Sequence, residues 1–453
     1  MQPWIKERLD QVEELLDQEQ LDLASQTVAD MHPADVGRLV DYLSEEDKIK
    51  FFRALEPTAA AEVVVELSDH SRDVVLNGLS TGQLSAIVDD MPSDEATDII
   101  ADLPTDQARE VLSRIDLEDS AEVRALLKYE EDTAGGLMQL ELVSARSNQT
   151  VAQVIEAIRE KKDEVGELHY IYVVSADNTL LGYVPVSKLI LSAPSTPMRN
   201  ILEPCNLVVE AHEDQEEVAH KFRRYDVVSA PVVDEFGHLL GRITVDDVME
   251  VLEDEAREDL LRMAGTSSEE EMFHSGGILK ISRLRLPWLL TNMLGGLISG
   301  WLLWIFKSTF SDALFLLAFI PVIMAMAGNV GVQSSTIMVR GFAVGQISFG
   351  SLWRVLFKEV RVAMVIGLVC GGLVGLVAHL WHGRTALGLV VGLSMTCAIS
   401  MASVMGTLAP ALFKRLKVDP AISSGPVVTT FNDILGILIY FGISTFFYSL
   451  LVK

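Results

Sequence analysis

Cysteine is almost missing from this chain: Cys205, Cys370 and Cys397 are the only three in 453 residues. They show no CxxC spacing and two lie in apolar segments, so neither a zinc site nor a disulfide framework follows. No His/Cys set stands at metal-ligand spacing, and His32 and His70 have no such partners. Walker motifs and nucleophile–base pairs are absent too, which argues against an enzyme. The opening residues, Met1-Gln-Pro-Trp-Ile-Lys-Glu, are polar and lack a signal-peptide core, so any membrane insertion is expected from internal segments. Basic charge is scarce: 36 Lys and Arg face 64 Asp and Glu, a net charge of -28.

That shortage is uneven. Residues 1–277 carry 60 acids against 23 bases, net -37. From Ile278 onward the acids are Asp312, Glu359, Asp419 and Asp433, against 13 bases, net +9. The first portion reads as an acidic soluble region and the second as a membrane domain. So acidic a surface repels nucleic acid and anionic lipid heads and attracts cations.

Five apolar runs, near 286–306, 314–338, 360–380, 386–412 and 426–450, are each long enough to cross roughly 30 Å of hydrocarbon. Ten Lys and Arg flank one side of them and three, Lys307, Arg384 and Lys453, the other. The bias predicts a cytoplasmic N-terminal region and an external C-terminus. An odd number of spans disfavours an inverted repeat within one chain, so a pore is expected on a two-fold axis between subunits.

Within the last run, Asp433 stands in Gly425-Pro-Val-Val-Thr-Thr-Phe-Asn-Asp433-Ile-Leu-Gly. An acid at bilayer depth costs at least a few kcal/mol and marks a functional site by default. Helical spacing places Pro426, Thr429, Asp433, Gly436 and Tyr440 on one face, which suits a cation path; an interhelical hydrogen bond or a buried proton is the plainer alternative. Gly328, Asn329 and Gly331 interrupt the second run, and irregular backbone at that depth is tolerated where it is buried or lines a cavity. Asn329 and backbone carbonyls suit the water shell of an ion whose charge Asp433 balances.

The soluble region divides in two. In residues 1–130, Pro33, Pro57, Pro92 and Pro104 stand where new helices begin, and the apolar residues between them keep a helical period. Stacked short helices in a superhelical array are the simplest outcome. Further on, Ile171–Gly182 repeats as Ala230–Gly241 at a 59-residue offset, each copy reading strand, turn, strand, helix. This resembles a tandem pair of CBS domains, over 131–195 and 196–252, a module that often binds adenine nucleotides. Thr244 and Asp247 form a Thr-x-x-Asp that meets a ribose in many such modules; the first copy has Val186-Ser-Lys188 there, so nucleotide binding and a scaffold role both stay open. From Asp246 to Asp259, eight acids in fourteen residues face one base, Arg257. Like charges at this spacing destabilise a helix, and a divalent ion such as Mg²⁺ with oxygen ligands relieves them; a solvated acidic linker is the alternative.

Three blocks together resemble the MgtE family of magnesium channels: Tyr129-Glu-Glu-Asp-Thr-Ala-Gly-Gly-Leu-Met138, Pro321-Val-Ile-Met-Ala-Met-Ala-Gly-Asn-Val-Gly-Val-Gln333, and Asp419–Pro426 leading to Thr429-Thr-Phe-Asn-Asp433. The resemblance implies a multidomain membrane protein: an all-α superhelical N domain (1–130), the α/β CBS pair, a connecting plug helix (253–278) and a five-helix transmembrane domain (279–453). It implies a multi-pass protein of the bacterial inner membrane, a homodimer in membrane lipid, with Asp433 of each subunit facing its mate across a hydrated Mg²⁺. Cytosolic Mg²⁺ would close the pore from sites carried over at Glu62, Asp94, Asp98, Glu216, Asp226, Asp247, Glu250, Glu255, Glu258 and Asp259, with ATP at the CBS pair as a further ligand. Gly425, Val332 and Val227 depart from residues that some relatives carry, Val227 where an aromatic supports adenine. An ion-coupled divalent-cation transporter and a membrane-anchored nucleotide sensor are the rival readings.

Overall fold

The computed structural model describes residues 3–160, 168–264, 278–306, 314–423 and 425–448. Ten helices open the chain: α1 (Pro3–Asp17), α2 (Leu21–Val28), α3 (Pro33–Asp41), α4 (Glu45–Ala54), α5 (Pro57–Val64), α6 (Asp69–Gly78), α7 (Thr81–Val88), α8 (Ser93–Asp102), α9 (Thr105–Leu112) and α10 (Leu117–Leu126). Their starts are written locally. Pro33 and Pro57 occupy first-turn positions, and Pro92 and Pro104 stand one residue before their helices. Ser80 and Gln83 cap α7 reciprocally. Each helix is too short to hold itself, so stability comes from packing. α1 packs on α3, α3 on α5, α5 on α7 and α7 on α9, a staircase around one apolar core from Ile5 to Val123.

The repeat folds as two matching sheets. Strands β1 (Ser144–Arg146), β2 (Tyr170–Val174) and β3 (Leu180–Pro185) form one; β4 (Val209–Glu210), β5 (Ser229–Val233) and β6 (Leu239–Thr244) form the other. In each the first pair is parallel and the second antiparallel, with the register shifting at Val173/Val174 and at Val232/Val233. Helices α11 (Val151–Glu160), α12 (Val186–Leu191) and α13 (Gln215–Tyr225) accompany them. Helix α14 (Val245–Met263) then runs straight out of β6. The plug helix expected from 253 is therefore continuous with the last helix of the second repeat, because Val245–Met263 contains no Gly or Pro to interrupt it. The part of it expected over 265–277 lies outside the described residues.

The chain divides into two compact units, Met1–Glu255 and Ala256–Lys453. The second contains five helices long and apolar enough to cross a membrane: α15 (Ile278–Phe306), α16 (Ile320–Ala343), α17 (Leu352–His382), α18 (Thr385–Arg415) and α19 (Pro426–Phe446). α17 and α18 are antiparallel neighbours joined through Gly383, whose left-handed φ of 63° ends α17. They approach backbone to backbone along matched glycines. A Cβ on Gly375 would stand 2.5 Å from the Gly388 carbonyl oxygen, and one on Gly392 2.7 Å from that of Gly371. In lipid, where apolar burial gives helices no preference for each other, such small-residue seams supply the packing. Replacing Gly371 with Leu is expected to lower the melting temperature of the detergent-solubilised protein, at an overpacking cost of about 1–3 kcal/mol or more; an unchanged melt, followed by fluorescence-detected size exclusion, would contradict the seam.

Candidate ion pathway and acidic cation site

Three of the apolar helices meet around Gly331. A Cβ there would collide with the side-chain amide of Asn432, and a Cβ on Gly406 with the Gly331 carbonyl oxygen, so α16, α18 and α19 can close together only with glycine at both positions. Asn432 is 1 % exposed. Neither its Oδ1 nor its Nδ2 has a hydrogen-bond partner among the described residues. Its neighbour Asp433 is half-buried and pairs with no base among the described residues. Gly328 is buried with open space where its side chain would be, as is Gly436, and Asn329 is exposed on the monomer surface. Pro426 is buried and starts α19; Thr429 is half-buried and donates to the Gly425 carbonyl at 3.1 Å. One turn from Gly331, Ser334 joins Ser403 and the Glu359 carboxylate, both at 3.1 Å, tying α16, α17 and α18.

The expected polar face of α19 is thus partly structural. Tyr440 is fully buried and donates to the Leu316 carbonyl at 2.8 Å, so it braces the core instead of lining a path. Asn432, which sequence spacing put off that face, is the buried amide beside the acid. Its signal was adjacency to Asp433 and nothing more.

In the first unit, two helices carry acids at the same spacing: Asp94, Glu95, Asp98 and Asp102 on α8, and Asp246, Asp247, Glu250 and Asp254 on α14. A relay of hydrogen bonds positions them. Ser93 donates through its N–H and its hydroxyl to Glu141, 2.8 Å each, and accepts from the Leu140 N–H at 2.9 Å. Gln139 and Arg242 exchange backbone hydrogen bonds of 2.7 and 2.9 Å, which fixes this segment to β6, the strand leading into α14. The start of α8 is thereby held to the start of α14.

The price is electrostatic. Asp94 is 6 % exposed, and its Oδ1 meets no donor among the described residues. Burial, then the charge of Asp247, pushes its carboxyl well above the usual carboxylate range. Burial and the charges of Asp247 and Glu250 push Glu95 up to about 7. Asp98 opens to solvent on one side, yet the protein crowding its other side and the charge of Glu131 push it up to about 7 against the pull of Arg72. Burial lifts Asp247 to about 6, opposed by hydrogen bonds from Thr244. Glu250 is raised by burial and then by Asp254. Arg72 is the neighbouring base; it bonds Asp69 at 3.1 Å and Asp102 at 3.5 Å. Oxygen ligands in surplus around a desolvated carboxylate are a setting for a hard divalent cation.

Of the residues expected to bind ions, Asp94, Asp98, Asp247 and Glu250 lie within reach of one another's charge here, although among the described residues it is Asp89, Asp116 and Asp119 whose carboxylate oxygens stand within 4.8 Å of one another. Glu62 does not share in it: it is exposed on α5, and Glu66, one turn on, is the acid whose charge reaches Glu250. Glu95, Asp102, Glu131 and Asp246 join the cluster without having been singled out; Glu95 and Asp102 continue the helical spacing of Asp94 and Asp98, which was the available signal. Glu216 stands 3.6 Å from Nε2 of His220, one turn on in its own helix. Asp226 is exposed and ends α13 at a left-handed φ of 53°, a capping role. Glu255 accepts from Gln215 at 2.8 Å. Glu258 pairs with Arg262, which also pairs with Asp419 in the lead-in to α19; Asp259 lies half-buried on the same helix. Thr244 donates to Asp247 through its N–H at 3.1 Å and its hydroxyl at 2.7 Å, so the two side chains are engaged with each other at the start of α14. Asp89, Asp116 and Asp119 form a separate, largely exposed acidic group.

These features have close counterparts. The family model described as a divalent cation transporter, MgtE, matches residues 320–443; that of the MgtE intracellular N domain matches 31–132; and that of the CBS domain matches 134–194 and 198–254. A magnesium transporter MgtE of Bacillus subtilis is 32% identical over 420 residues, 93% of each chain. This chain belongs to the MgtE family. The MgtE magnesium transporter of Enterococcus faecalis is 38% identical over 324 residues, covering 72% of this chain and 71% of its own. Among solved structures, the soluble part of a magnesium transporter superposes with a TM-score of 0.51 at 30% identity, over 56% of this chain and 99% of that one. The cytosolic domain of the Mg²⁺ channel MgtE in complex with ATP gives a TM-score of 0.51 at 32% identity, over 54% of this chain and 99% of that one. As a member of this family, the chain combines an MgtE N domain, a CBS pair and five helices that could span a membrane.

Carboxyls whose pKa rises on folding bind protons more tightly folded than unfolded, so the stability they remove is absent below about pH 4 and grows as pH climbs through about 7. Without divalent cations, amide-exchange protection of α8 and α14 in the full-length protein, corrected for intrinsic rates, is expected to fall between about pH 5 and pH 8. Millimolar Mg²⁺ should restore it at the upper end. Protection indifferent to Mg²⁺ would leave the cluster without a cation.

Proposed function

We propose that this protein is a magnesium channel of the bacterial inner membrane, which passes Mg²⁺ down its electrochemical gradient and is closed by cytosolic Mg²⁺. The observation that carries the reading is the adjacency of Asp433, an acid with no base beside it among the described residues, and Asn432, a buried amide with no hydrogen-bond partner among them, at the Gly331 crossing of apolar helices. A hydrated divalent ion takes charge from such an acid and hydrogen bonds from amides and carbonyls. The relatives named magnesium transporters supply the cargo. One subunit offers Asp433 half-buried and Asn329 exposed, half of a lining, which supports a homodimer with its pore on the two-fold axis. Gly328, Thr429 and Pro426 shape the wall. The flanking charges support a cytoplasmic N-terminus and an external C-terminus.

Gating follows from differential affinity. With Mg²⁺ scarce, the carboxylates of α8 and α14 repel; two unit charges at 4 Å interact by ~1–4 kcal/mol across water-like to surface-like dielectrics. With Mg²⁺ plentiful, ions bridge Asp94, Glu95, Asp98, Asp247 and Glu250 and hold α14 in one arrangement. The last turn of α14 is tied through Arg262 to Asp419, which also accepts from the Ala421 N–H at 2.7 Å in the turn before α19. Motion of α14 would so reach the helix that carries Asp433. Several weak sites acting on one equilibrium make the response steep.

Two outcomes test the reading. In proteoliposomes, Asp433→Asn is expected to cut Mg²⁺ flux at least tenfold or to lose discrimination among divalent cations, with assembly unchanged. Native flux and selectivity in that variant would remove Asp433 from the pathway. The double variant Asp247→Asn, Glu250→Gln should shift closure to several-fold higher cytosolic Mg²⁺ while leaving open-channel flux intact. An unmoved midpoint would exclude the cluster from gating, and flux requiring a proton or sodium gradient would replace the channel by a coupled transporter.

A further inference from the structure

Helix α17 is longer than a bilayer core requires. Its 31 residues span about 46 Å at 1.5 Å per residue, against roughly 30 Å of hydrocarbon. About 16 Å of helix is left for the headgroup layers. Its opening stretch carries Arg354, Lys358 and Arg361, which recur at four- and three-residue steps and share one exposed face. Trp353 and Phe357, 65 % and 62 % exposed, lie on the face beside it.

The stripe opposes the helix that bears it. Like charges three and four residues apart destabilise a helix. A helix start is also the positive pole of the backbone dipole, which favours acids over bases; the first turn of α17 contains Arg354 and no acid. The acids closest along the chain are engaged elsewhere. Glu359 accepts from Ser334 on α16, and Asp419 pairs with Arg262 and accepts from the Ala421 N–H. Arg354, Lys358 and Arg361 have no acid partner among the described residues.

Packing brings another base to the same end of the bundle. Met338 and Phe342 of α16 and Ala411 of α18 form a small apolar core on which Ile347, Leu352 and Val355 pack. Lys414, one turn past Ala411, lies over the Phe342 ring at 5.1 Å, and Phe349 leans on that ring with centroids 6.1 Å apart. The other end of α17 also carries an exposed aromatic, Trp381, but beside His379 and His382 instead of Lys or Arg. Aromatic anchoring is thus common to both ends and the cationic stripe is not. A topology signal needs bases only in number near the membrane; it does not call for them on one face of the first turns.

We propose that this face holds an anionic phospholipid, with its phosphate at Arg354, Lys358 and Arg361, Lys414 at the same end of the bundle, and its acyl chains along Trp353 and Phe357. Bases at the membrane surface attract acidic headgroups, and a guanidinium meets a phosphate through two parallel hydrogen bonds. A free phosphate ion would leave the two exposed rings without an occupant, which favours a lipid. The inference rests on the five apolar helices spanning a membrane, and not on what passes between them.

The test titrates full-length protein in mild detergent with phosphatidylglycerol and, separately, with phosphatidylcholine, and counts bound lipid by native mass spectrometry. Phosphatidylglycerol is expected to bind about tenfold more tightly or better. The triple variant Arg354→Gln, Lys358→Gln, Arg361→Gln should lose that preference, with phosphatidylcholine binding unchanged. Arg415→Gln with Lys417→Gln removes two charges from the end of α18, off the stripe, and should keep it. Should the triple variant not assemble, Lys358→Gln alone is expected to weaken phosphatidylglycerol about threefold. Equal binding of the two lipids by the native protein overturns the inference, whether a second copy covers the face or nothing does. Equal loss in both multiple variants also overturns it, since diffuse charge would then suffice. Displacement of the lipid by millimolar inorganic phosphate would make the ligand a free anion and overturn it as well. Resistance to carbonate extraction checks membrane insertion, and no arm uses Mg²⁺ flux, so a failure of the channel reading shows separately.

Discussion

Carboxylates whose ionised form is disfavoured first by burial and then by neighbouring charge set the terms for the N-terminal unit. Asp94 is buried with one oxygen unmet among the described residues, and on top of burial the charges of α14 raise the proton affinity of Asp94 and Glu95. Nothing in the packing forces this: the staircase of short helices has an apolar core of its own, and the two sheets each have theirs. The acids meet because Ser93, Glu141, Gln139 and Arg242 tie the start of α8 to the strand that feeds α14. A fold that gives up stability at one place by specific hydrogen bonds usually does so for function. The helix N-termini offset part of the cost, since Asp94, Glu95, Asp246 and Asp247 all lie in first turns where the helix dipole favours negative charge.

The second unit meets the opposite problem, of holding polar groups in an apolar setting. Glycine seams solve it by letting backbones touch. Along α17 and α18 the seam is glycine on glycine, with the Thr396 hydroxyl donating to the Gly367 carbonyl; around Gly331 and Gly406 it gathers Asn432, Ser334 and Ser403. Small residues there bring three helices together and leave room for polar side chains between them.

Local signals were legible. Each of the four prolines marks a helix start, because a fixed φ and a missing N–H suit no other place so well. The 59-residue repeat reappears down to its register shifts at Val173/Val174 and Val232/Val233. The five apolar runs are five helices, and their bounds differ from expectation by up to eight residues, at Ile278 and Leu352, on polar flanks where hydropathy fades before the helix does; the expected end at 450 lies outside the described residues. Less was legible wherever two segments had to be brought together. Glu62 and Glu66 look alike along the chain, and the facing helix decides which of them acts on Glu250. Tyr440 shares a helical face with Asp433, but only the carbonyl of Leu316 reveals it as a brace.

The sequence by itself determined the division of charge, the helix starts, the duplicated sheets, the membrane-length helices and the place of Asp433 on the last of them, since each depends on neighbours within a turn or two of chain or on a plain repeat. Tertiary structure alone decided which acids feel one another's charge, that Asn432 and not Tyr440 accompanies Asp433, that Thr244 and Asp247 bond each other, and that the Tyr172 hydroxyl meets that of Ser229 across the repeats. The physical reason is common to all four: burial, charge coupling and hydrogen-bond satisfaction are properties of what lies across a gap of a few ångströms, and residues far apart along the chain meet there.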